Sequence, residues 1–271
     1  KIFFLYFLFS TALHTYSQDN YFQQRVNTFI EVFLDDEKHE LSAHETIEYT
    51  NNSPNPIDSI LFHLWPNAYK NISTEMAKHD VENGELEFRF SDVSEKGFID
   101  SLNFSCNDKT LKWNYFNNKV DIAVVHLDTS LLPDQTISIA TPFRVKIPSG
   151  LFSRFGHIGQ SYQITQWFPK PAVYDKEGWH PMSYLSQGEF YSEFGSYDVK
   201  ITLPENYVVG ATGDLINGDD ELAFLKNKVE QTEAIILAKN YSSDMSFPES
   251  SSTTKTLHFH QENVHDFAWF A

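Results

Sequence analysis

The sequence predicts an all-β protein built as an antiparallel β-sandwich. After residue 27, apolar and polar residues alternate with a period of two, and the apolar segments are separated by turn residues without intervening helices. Aromatic residues make up 15% of the 271 residues, with 24 Phe and 13 Tyr, which supplies apolar area for a core between packed sheets. One large β-domain is therefore expected.

The first elements predicted are an antiparallel hairpin and a third strand. Apolar residues alternate over residues 30–34 and again over 41–49, and the polar turn 35–38 connects the two segments. The sequence Ser-Pro-Asn-Pro at 53–56 breaks the second strand, and the alternation resumes over 60–64. The hairpin is therefore expected to lead directly into a third strand.

The rest of the chain is predicted to add strands around one long excursion. Residues 67–97 are polar and weakly periodic, with a short helix expected near 73–78. Further strands are predicted over residues 98–104, 120–127, 136–147, 162–168, 197–203, 222–225, 229–237 and 256–260. The apolar segment after them begins another unit, so we predict a β-domain over 18–262 and the start of a second domain over 263–271.

Residues 1–17, KIFFLYFLFSTALHTYS, are typical of a secretory signal peptide. They combine a basic start, a short apolar run and small residues before a predicted cleavage after Ser17. The apolar run is too short to cross a bilayer stably, and a buried hairpin strand is the alternative. We therefore expect an exported protein, periplasmic or secreted, with no membrane span after cleavage.

Charge and cysteine content restrict the partners and the chemistry. The formal net charge is −17, which disfavours nucleic acid and anionic membranes as partners, because both are bound by clustered Lys and Arg. Cys106 is the only cysteine, so the chain forms no internal disulfide despite its export signal. Cys106 also has no nearby His in the sequence that could activate it as a nucleophile.

The histidines do not form a recognisable metal motif. His39 and His44 are five residues apart, whereas a helical zinc motif places two histidines four apart, and on a strand they point to opposite faces. His258 and His260 share a face of a predicted strand, but two ligands do not make a site, and alternation with buried Leu257 explains the pair equally well. We therefore predict no catalytic residue and no metal ligand in this chain.

The most unusual stretch is an aromatic, proline-rich loop over residues 164–182. Trp167, Tyr174, Trp179 and His180 are expected to be exposed there. Aromatic loops that are held by proline usually build a binding surface or a domain contact. A loop folded over the core is the alternative.

Five blocks of sequence carry a resemblance to a known family. They are TQWFPKPAVYD (165–175), GWHPM (178–182), QGEFYSEFG (187–195), TLPENYVVGATGDL (202–215) and FHLWPNAYKN (62–71). Through these blocks the chain resembles the N-terminal domain of secreted bacterial members of the membrane alanyl aminopeptidase family, the gluzincin zinc aminopeptidases. The resemblance implies a saddle-shaped antiparallel β-domain that closes one wall of the substrate cleft of a thermolysin-like catalytic domain.

The resemblance also implies that the catalytic groups lie outside this chain. Family members bind zinc through His-Glu-x-x-His and a downstream Glu, and hold the free amine of a peptide with a Gly-x-Met-Glu-Asn segment. Neither motif occurs in this sequence. The chain is therefore expected to be a non-catalytic part of a zinc peptidase, inactive alone, whose own catalytic domain follows residue 271.

One substrate-binding residue follows from the resemblance. The N-terminal domain of the family contributes a Thr-Gln pair to the cleft, followed two residues later by Glu or Gln, and Thr165 and Gln166 match the pair. Phe168 stands where the second polar residue would be. A phenyl ring cannot accept a hydrogen bond as a carboxylate does, although it offers a cation–π face to an ammonium group. Gln166 is therefore the predicted substrate-binding residue.

Two other functions stay open at this point. One is a non-enzymatic exported β-sandwich that binds sugar or protein through the aromatic loop. The other is a family member whose catalytic domain has lost its zinc ligands and serves as a scaffold. A His-Glu-x-x-His motif in the reading frame after residue 271 would favour the peptidase.

Overall fold

The computed structural model describes residues 21–188, 190–244 and 246–271. The signal peptide predicted over residues 1–17 lies outside these residues and stays a prediction. The strands are β1 (Arg25–Asp35), β2 (Glu40–Thr50), β3 (Ile57–His63), β4 (Phe98–Asp100), β5 (Ser105–Cys106), β6 (Lys109–Thr110), β7 (Trp113–Phe116), β8 (Lys119–Leu131), β9 (Thr136–Lys146), β10 (Gly156–Ile158), β11 (Ser161–Ile164), β12 (Lys170–Pro171), β13 (Val173–Asp175), β14 (Gly178–His180), β15 (Gly195–Pro204), β16 (Gly210–Ala211), β17 (Asp214–Leu215), β18 (Thr254–Val264) and β19 (Trp269–Phe270). The α-helices are α1 (Glu75–Glu82), α2 (Glu87–Phe90) and α3 (Asp219–Ala238), and 3-10 helices occur at Trp65–Tyr69 and Val93–Glu95.

Three main sheets organise these strands. The largest follows the order β17-β18-β15-β1-β2-β9-β5-β6, with β4 also paired to β9. Two four-stranded sheets follow the orders β12-β3-β8-β7 and β10-β11-β19-β16, and β13 pairs with β14. Among the described strands only β1 and β15 pair in parallel, and the other pairs are antiparallel. The predicted all-β fold class is confirmed.

The predicted hairpin of β1 and β2 lies inside the largest sheet. Its register runs without interruption from Arg25 opposite Thr50 to Asp35 opposite Glu40. Buried residues recur with a period close to two along both strands. The backbone N–H of Lys38 donates to Asp35 Oδ1 at 3.0 Å and closes the turn. The first hairpin is therefore confirmed.

One continuous hydrophobic core contains residues from all three sheets. Its largest members include Trp65, Trp167 and Trp269, each at most 1% exposed. Because an aromatic side chain removes roughly 150–250 Å² from water, each of these three residues adds a large apolar area to the core. The aromatic content noted in the sequence thus supplies the core.

The parallel pair of β1 and β15 depends on a glycine. Gly195 lies opposite Val26 at the end of the pair. A Cβ atom at Gly195 would lie 1.7 Å from the carbonyl oxygen of Val26, closer than any side chain can approach. Glycine is therefore required where the two backbones meet.

The short helix predicted near 73–78 is confirmed as α1. Thr74 precedes the helix in extended conformation, and its side-chain oxygen accepts a hydrogen bond from the backbone N–H of Ala77 at 3.3 Å. Threonine in this position satisfies one of the backbone donors that a helix start leaves without a partner. The excursion between β3 and β4 thus begins with a capped helix.

The strands predicted over 222–225 and 229–237 are wrong. Residues Asp219–Ala238 form the 20-residue helix α3, which carries three acidic residues in its first turn. Acidic side chains there interact favourably with the helix dipole, and the Leu, Ala, Glu and Lys of this segment are good helix formers. Helix α3 is mostly exposed, so its sequence carries no buried face that would reveal a helical period. No helix in the described residues has the length and apolar character needed to cross a membrane.

The segment predicted to begin a second domain packs into the β-domain. Strand β18 crosses the predicted boundary at residue 262 and ends at Val264. Strand β19 pairs with both β11 and β16, and Phe267 and Trp269 have no exposed surface. Residues 263–271 are therefore a structural part of this domain, because its core is incomplete without these two side chains. A catalytic domain after residue 271 stays a prediction.

Glu45 is a carboxylic acid inside the core. It is 1% exposed, and neither carboxyl oxygen has a hydrogen-bond partner within the described part of the chain. Burial raises the pKa of Glu45 well above its ordinary value, because a carboxylate loses its hydration in the core. Burial therefore favours the protonated form of Glu45 in the folded protein.

We expect Glu45→Gln to stabilise the protein increasingly as pH rises from 5 to 8. Above a pH of about 4.3 the unfolded chain ionises Glu45 whereas the folded chain keeps its proton, so the free energy of unfolding falls with rising pH, by up to about 1.4 kcal/mol per pH unit. Glutamine has a similar shape and removes this dependence. Urea unfolding at several pH values measures the pH dependence of the free energy of unfolding, and exposed Glu48→Gln is the control. If the parent and Glu45→Gln show the same pH dependence, Glu45 does not keep its proton in the core.

Candidate functional site

A tight turn over residues 165–169 carries the chain from one small sheet to the other. Strand β11 ends at Ile164, and β12 begins at Lys170. Between them, Gln166 has a φ of 48°, in the left-handed region that few residues other than glycine adopt. The strand predicted over 162–168 is therefore shorter than expected, because the backbone changes direction at Gln166.

The two aromatic residues after Gln166 are buried. Trp167 has no exposed surface, and its Nε1 donates to the backbone oxygen of Phe267 at 3.1 Å. The Phe168 ring is 1% exposed and packs edge-on against Tyr197, with ring centroids 5.9 Å apart. The predicted exposure of Trp167 is wrong, and Phe168 offers no cation–π face to a ligand, because both rings are enclosed in the core.

The remaining aromatic residues of the loop lie on the hairpin of β13 and β14. The ring centroid of Trp179 lies 4.9 Å from that of Tyr174 and 6.3 Å from that of Tyr49. His180 Nε2 lies 2.7 Å from Asp175 Oδ1. Trp179, Tyr174 and His180 are each partly buried. The loop is therefore mostly folded onto the core, with some aromatic surface left at the hairpin.

A buried ion pair lies at the end of the turn. Lys170 Nζ lies 3.2 Å from Asp266 Oδ1 and also donates to the backbone oxygen of His265. The two charged side chains are 5% and 15% exposed. Burial lowers the pKa of Lys170, and the charge of Asp266 opposes that shift. Each charge therefore depends on the other to remain in the interior.

The same carboxylate orients the side chain of Gln166. Gln166 Nε2 donates to Asp266 Oδ2 at 3.3 Å. Because an ionised carboxylate accepts hydrogen bonds and donates none, the amide nitrogen of Gln166 must face Asp266. Gln166 Oε1 is then left buried, without a hydrogen-bond partner among the described residues. An unpaired buried acceptor costs about 1–3 kcal/mol, so this oxygen is a candidate contact for a ligand.

The geometry at Gln166 suits a ligand that carries N–H donors and a positive charge. Oε1 accepts hydrogen bonds, and the negative charge of Asp266 lies next to the same amide. Oε1 is covered in this structure, so a ligand would reach it only after the residues that cover it move, with the hydrogen bond from Nε2 to Asp266 kept. A left-handed backbone at a residue other than glycine is also a form of strain that clusters at functional sites.

Thr165, the other member of the predicted pair, has a structural role. Its Oγ1 donates to the backbone oxygen of Arg154 at 3.1 Å. Arg154 in turn donates to the backbone oxygen of Ser186 at 3.1 Å. The threonine thus fixes the turn to a neighbouring loop, and of the pair only Gln166 keeps an unpartnered polar atom.

Sequence reasoning named Gln166 as a candidate, which stays a prediction, and it missed the ion pair beside that residue. Lys170 stands in the same block as Gln166, between two prolines, and nothing else in the neighbouring sequence indicated that it would be buried in an ion pair. Asp266 lies 100 residues further along the chain, in a segment assigned by the sequence to another domain. No periodicity connects positions this far apart.

The histidines do not assemble a metal site. His39 lies in the turn before β2, and His44 is exposed on that strand. His258 Nε2 and His260 Nδ1 lie 2.9 and 3.3 Å from the two carboxylate oxygens of Asp198. Across residues 21–271, leaving aside positions 189 and 245, no group of three or more His, Cys, Asp or Glu side chains is arranged to hold a metal ion.

Comparisons with known proteins find a distant likeness to solved structures. The chain matches no protein-family model and no curated protein. It is similar to a two-domain M1 zinc metallopeptidase variant bound to L-tryptophan, at 11% identity and a TM-score of 0.47, over 92% of this chain and 43% of that chain. An M1 zinc metallopeptidase from Deinococcus radiodurans is similar at 11% identity and a TM-score of 0.46, over 92% and 42%. The chain spans less than half of these structures, and the likeness by itself assigns neither a family nor an activity.

We expect Lys170→Met and Asp266→Asn to be strongly coupled in stability. Each single substitution leaves the other charge buried and unpaired, which costs about 3–5 kcal/mol. The double variant leaves no unpaired charge, so its loss of stability should be well below the sum of the losses in the two single variants. Urea unfolding of the four proteins gives the coupling free energy, and additive losses within about 0.5 kcal/mol would show that the two charges do not interact.

Proposed function

We propose that this chain is the N-terminal β-domain of an exported zinc aminopeptidase, which removes N-terminal residues from peptides. In this proposal the domain forms one wall of the substrate cleft and carries no catalytic group of its own. The sequence blocks at 62–71, 165–175 and 202–215 support it, because they resemble segments of that family.

The observation that carries the proposal is the unpartnered oxygen of Gln166. In the family that the sequence resembles, the Thr-Gln pair lies in the cleft, and the polar residue two positions later helps to hold the free amine of the substrate. Gln166 is held by Asp266 with its nitrogen occupied, so Oε1 is left to accept an N–H. A protonated α-amino group brings three donors and a positive charge, which matches this acceptor and its carboxylate neighbour.

Phe168 changes how such a cleft would be built. It replaces the second polar residue of the family pattern, and it is enclosed in the core beside Trp167 and Tyr197. Amine recognition from this turn would therefore rest on Gln166 alone. We infer that this domain contributes less to binding of the substrate amine than a domain with the complete family pattern would.

The described residues do not supply a zinc site. A peptidase of this class holds zinc with three protein side chains, and no such group is arranged among them. The part of the chain that we describe therefore does not fit the metal, and the proposal places zinc and the residues that ligate it on a catalytic domain outside this chain. When bound there, zinc supplies the activated water for hydrolysis.

The proposed contact with that domain is the surface around residues 166–180. It contains Gln166 and the hairpin that carries Trp179 and His180, whose side chains are partly exposed. Partly exposed aromatic groups beside polar ones are typical of an interface between domains. Export of the protein, to the periplasm or beyond, belongs to the same proposal and rests on residues 1–17.

The first test is the coding sequence after the codon for Ala271. An open frame that encodes His-Glu-x-x-His, with a Glu roughly twenty residues later, supports the zinc aminopeptidase. A stop codon, or a following domain without these residues, would overturn the proposal in its enzymatic form.

We expect Gln166→Gly to lower kcat/KM of the full-length enzyme for peptides with a free N-terminus by about 10- to 100-fold. This is the effect of losing one hydrogen bond to a charged group, about 1.5–3 kcal/mol. Glycine suits the left-handed backbone, so the stability should be kept. Most of the effect should appear in KM if the contact is equal in the ground and transition states.

Exposed Gln163→Gly on β11 is the matched control for this measurement. It removes a glutamine three residues away that faces solvent. Equal kinetics of Gln166→Gly and the parent enzyme, measured with well-folded proteins, would remove Gln166 from the site while leaving the peptidase assignment intact.

A further inference from the structure

A cavity lies next to the hairpin of β13 and β14, and the proposed function makes no use of it. Its volume is about 250 Å³. We call it the carboxylate–aromatic pocket, and its defining residues are Tyr21, Phe22, Asp175, Tyr191, Glu193 and Phe194. Two carboxylates and four aromatic rings thus face one space large enough for a side chain.

Glu193 is the more deeply placed of the two acids. It is 7% exposed, and the backbone N–H groups of Gln24 and Tyr174 and the side chain of Gln23 lie close enough to favour its charged form. Within the described chain, no Lys or Arg lies within ion-pair distance of it. Glu193 is thus a fixed carboxylate at the pocket wall whose charge has no counter-ion from the domain.

Asp175 adds a second negative charge. Its Oδ1 lies 2.7 Å from His180 Nε2 and accepts the backbone N–H of Glu177 at 2.8 Å. Its Oδ2 accepts a longer hydrogen bond, 3.4 Å, from Tyr191 Oη. The hydrogen bond from His180 is the main reason that the pKa of Asp175 is lowered. Asp175 is therefore ionised at neutral pH.

The aromatic members are unusually exposed for residues of their size. Tyr191 is 48% exposed and Phe194 is 52% exposed, and Tyr21 is more exposed still. Exposed rings grouped around a space are a common feature of ligand sites. The faces of aromatic rings attract cations, and the carboxylates attract the same ligands.

We propose that the carboxylate–aromatic pocket binds the cationic end of a lysine or arginine side chain. An ammonium or guanidinium group would pair with Glu193 and Asp175, and its alkyl stem would lie against the rings. An anion would meet two carboxylates and only one lining cation, Lys176, and an uncharged apolar ligand would leave both carboxylates without a counter-ion. The net charge of −17 further favours a basic ligand.

Binding should depend on pH through Glu193. Burial raises the pKa of Glu193 to about 7, so the carboxylate gains its full charge only above neutrality. The charged and titratable groups around it are Asp175 with its partner His180, Lys176, and the tyrosines Tyr49, Tyr174 and Tyr191. Lys176 is exposed at the tip of the hairpin and takes part in no ion pair of the described residues. Because the ligand keeps its charge throughout, we expect its affinity to rise between pH 6 and pH 8, by at most about tenfold per unit.

The test is a titration of this chain with N-acetyl-arginine amide and N-acetyl-lysine amide, followed by NMR or calorimetry. N-acetyl-norleucine amide, which has a similar stem without the charge, is the uncharged comparison. We expect binding of the two cations that is at least tenfold tighter than binding of norleucine. Equal binding of all three, or no binding of either cation at millimolar concentration, would overturn the proposal.

Two variants test the residues themselves. Glu193→Gln keeps the shape and the capacity to accept hydrogen bonds, and it should weaken cation binding by about tenfold and abolish its dependence on pH between 6 and 8. Phe194→Leu changes an exposed ring and should weaken binding severalfold without affecting the pH dependence. Exposed Glu177→Gln, on the same hairpin but outside the pocket, should bind as the parent does. Parent-like affinity and pH dependence in Glu193→Gln would refute the site, whatever the outcome for the peptidase.

Discussion

The candidate site depends on one constraint, which is that the turn over residues 165–169 must satisfy its polar groups while it is enclosed in the core. Two long-range interactions meet this constraint. Lys170 pairs with Asp266, and the indole of Trp167 donates to the backbone oxygen of Phe267. Both interactions attach the turn to a single short segment about 100 residues later. The left-handed backbone at Gln166 is tolerated because it is held between these two attachments.

The interior avoids unpaired charge in three different ways. Lys170 and Asp266 neutralise each other, and Glu45 keeps its proton. His63 lies opposite Lys170 in the sheet, and burial together with the positive charge of Lys170 lowers the pKa of His63 to about 3. His63 is therefore neutral over the physiological range, and its Nε2 accepts the backbone N–H of Met182. The buried pair of Lys170 and Asp266 thus supports the turn next to a neutral His63.

The two proposed binding regions meet at the same short segment. The ring of Phe194, which borders the carboxylate–aromatic pocket, lies 5.8 Å from the ring of His265 by centroid distance. His265 also provides the backbone oxygen that accepts from Lys170, next to the residue that orients Gln166. Both regions present acceptors and negative charge. One face of the domain is therefore suited to ligands or partners that carry amines.

The sequence by itself determined the all-β class, the hairpin of β1 and β2 and helix α1, and it named Gln166 as a candidate that stays a prediction. These features rest on alternation, turn residues, a helix cap and a contiguous block, all of which act over a few neighbouring residues. Helix α3 was missed because an exposed helix has no buried face to reveal its period. The burial of Trp167, the pairing of Lys170 with Asp266 and the free oxygen of Gln166 were decided only by the tertiary structure. They depend on contacts between segments about 100 residues apart, and no local pattern encodes which distant backbone or carboxylate will lie beside a given turn.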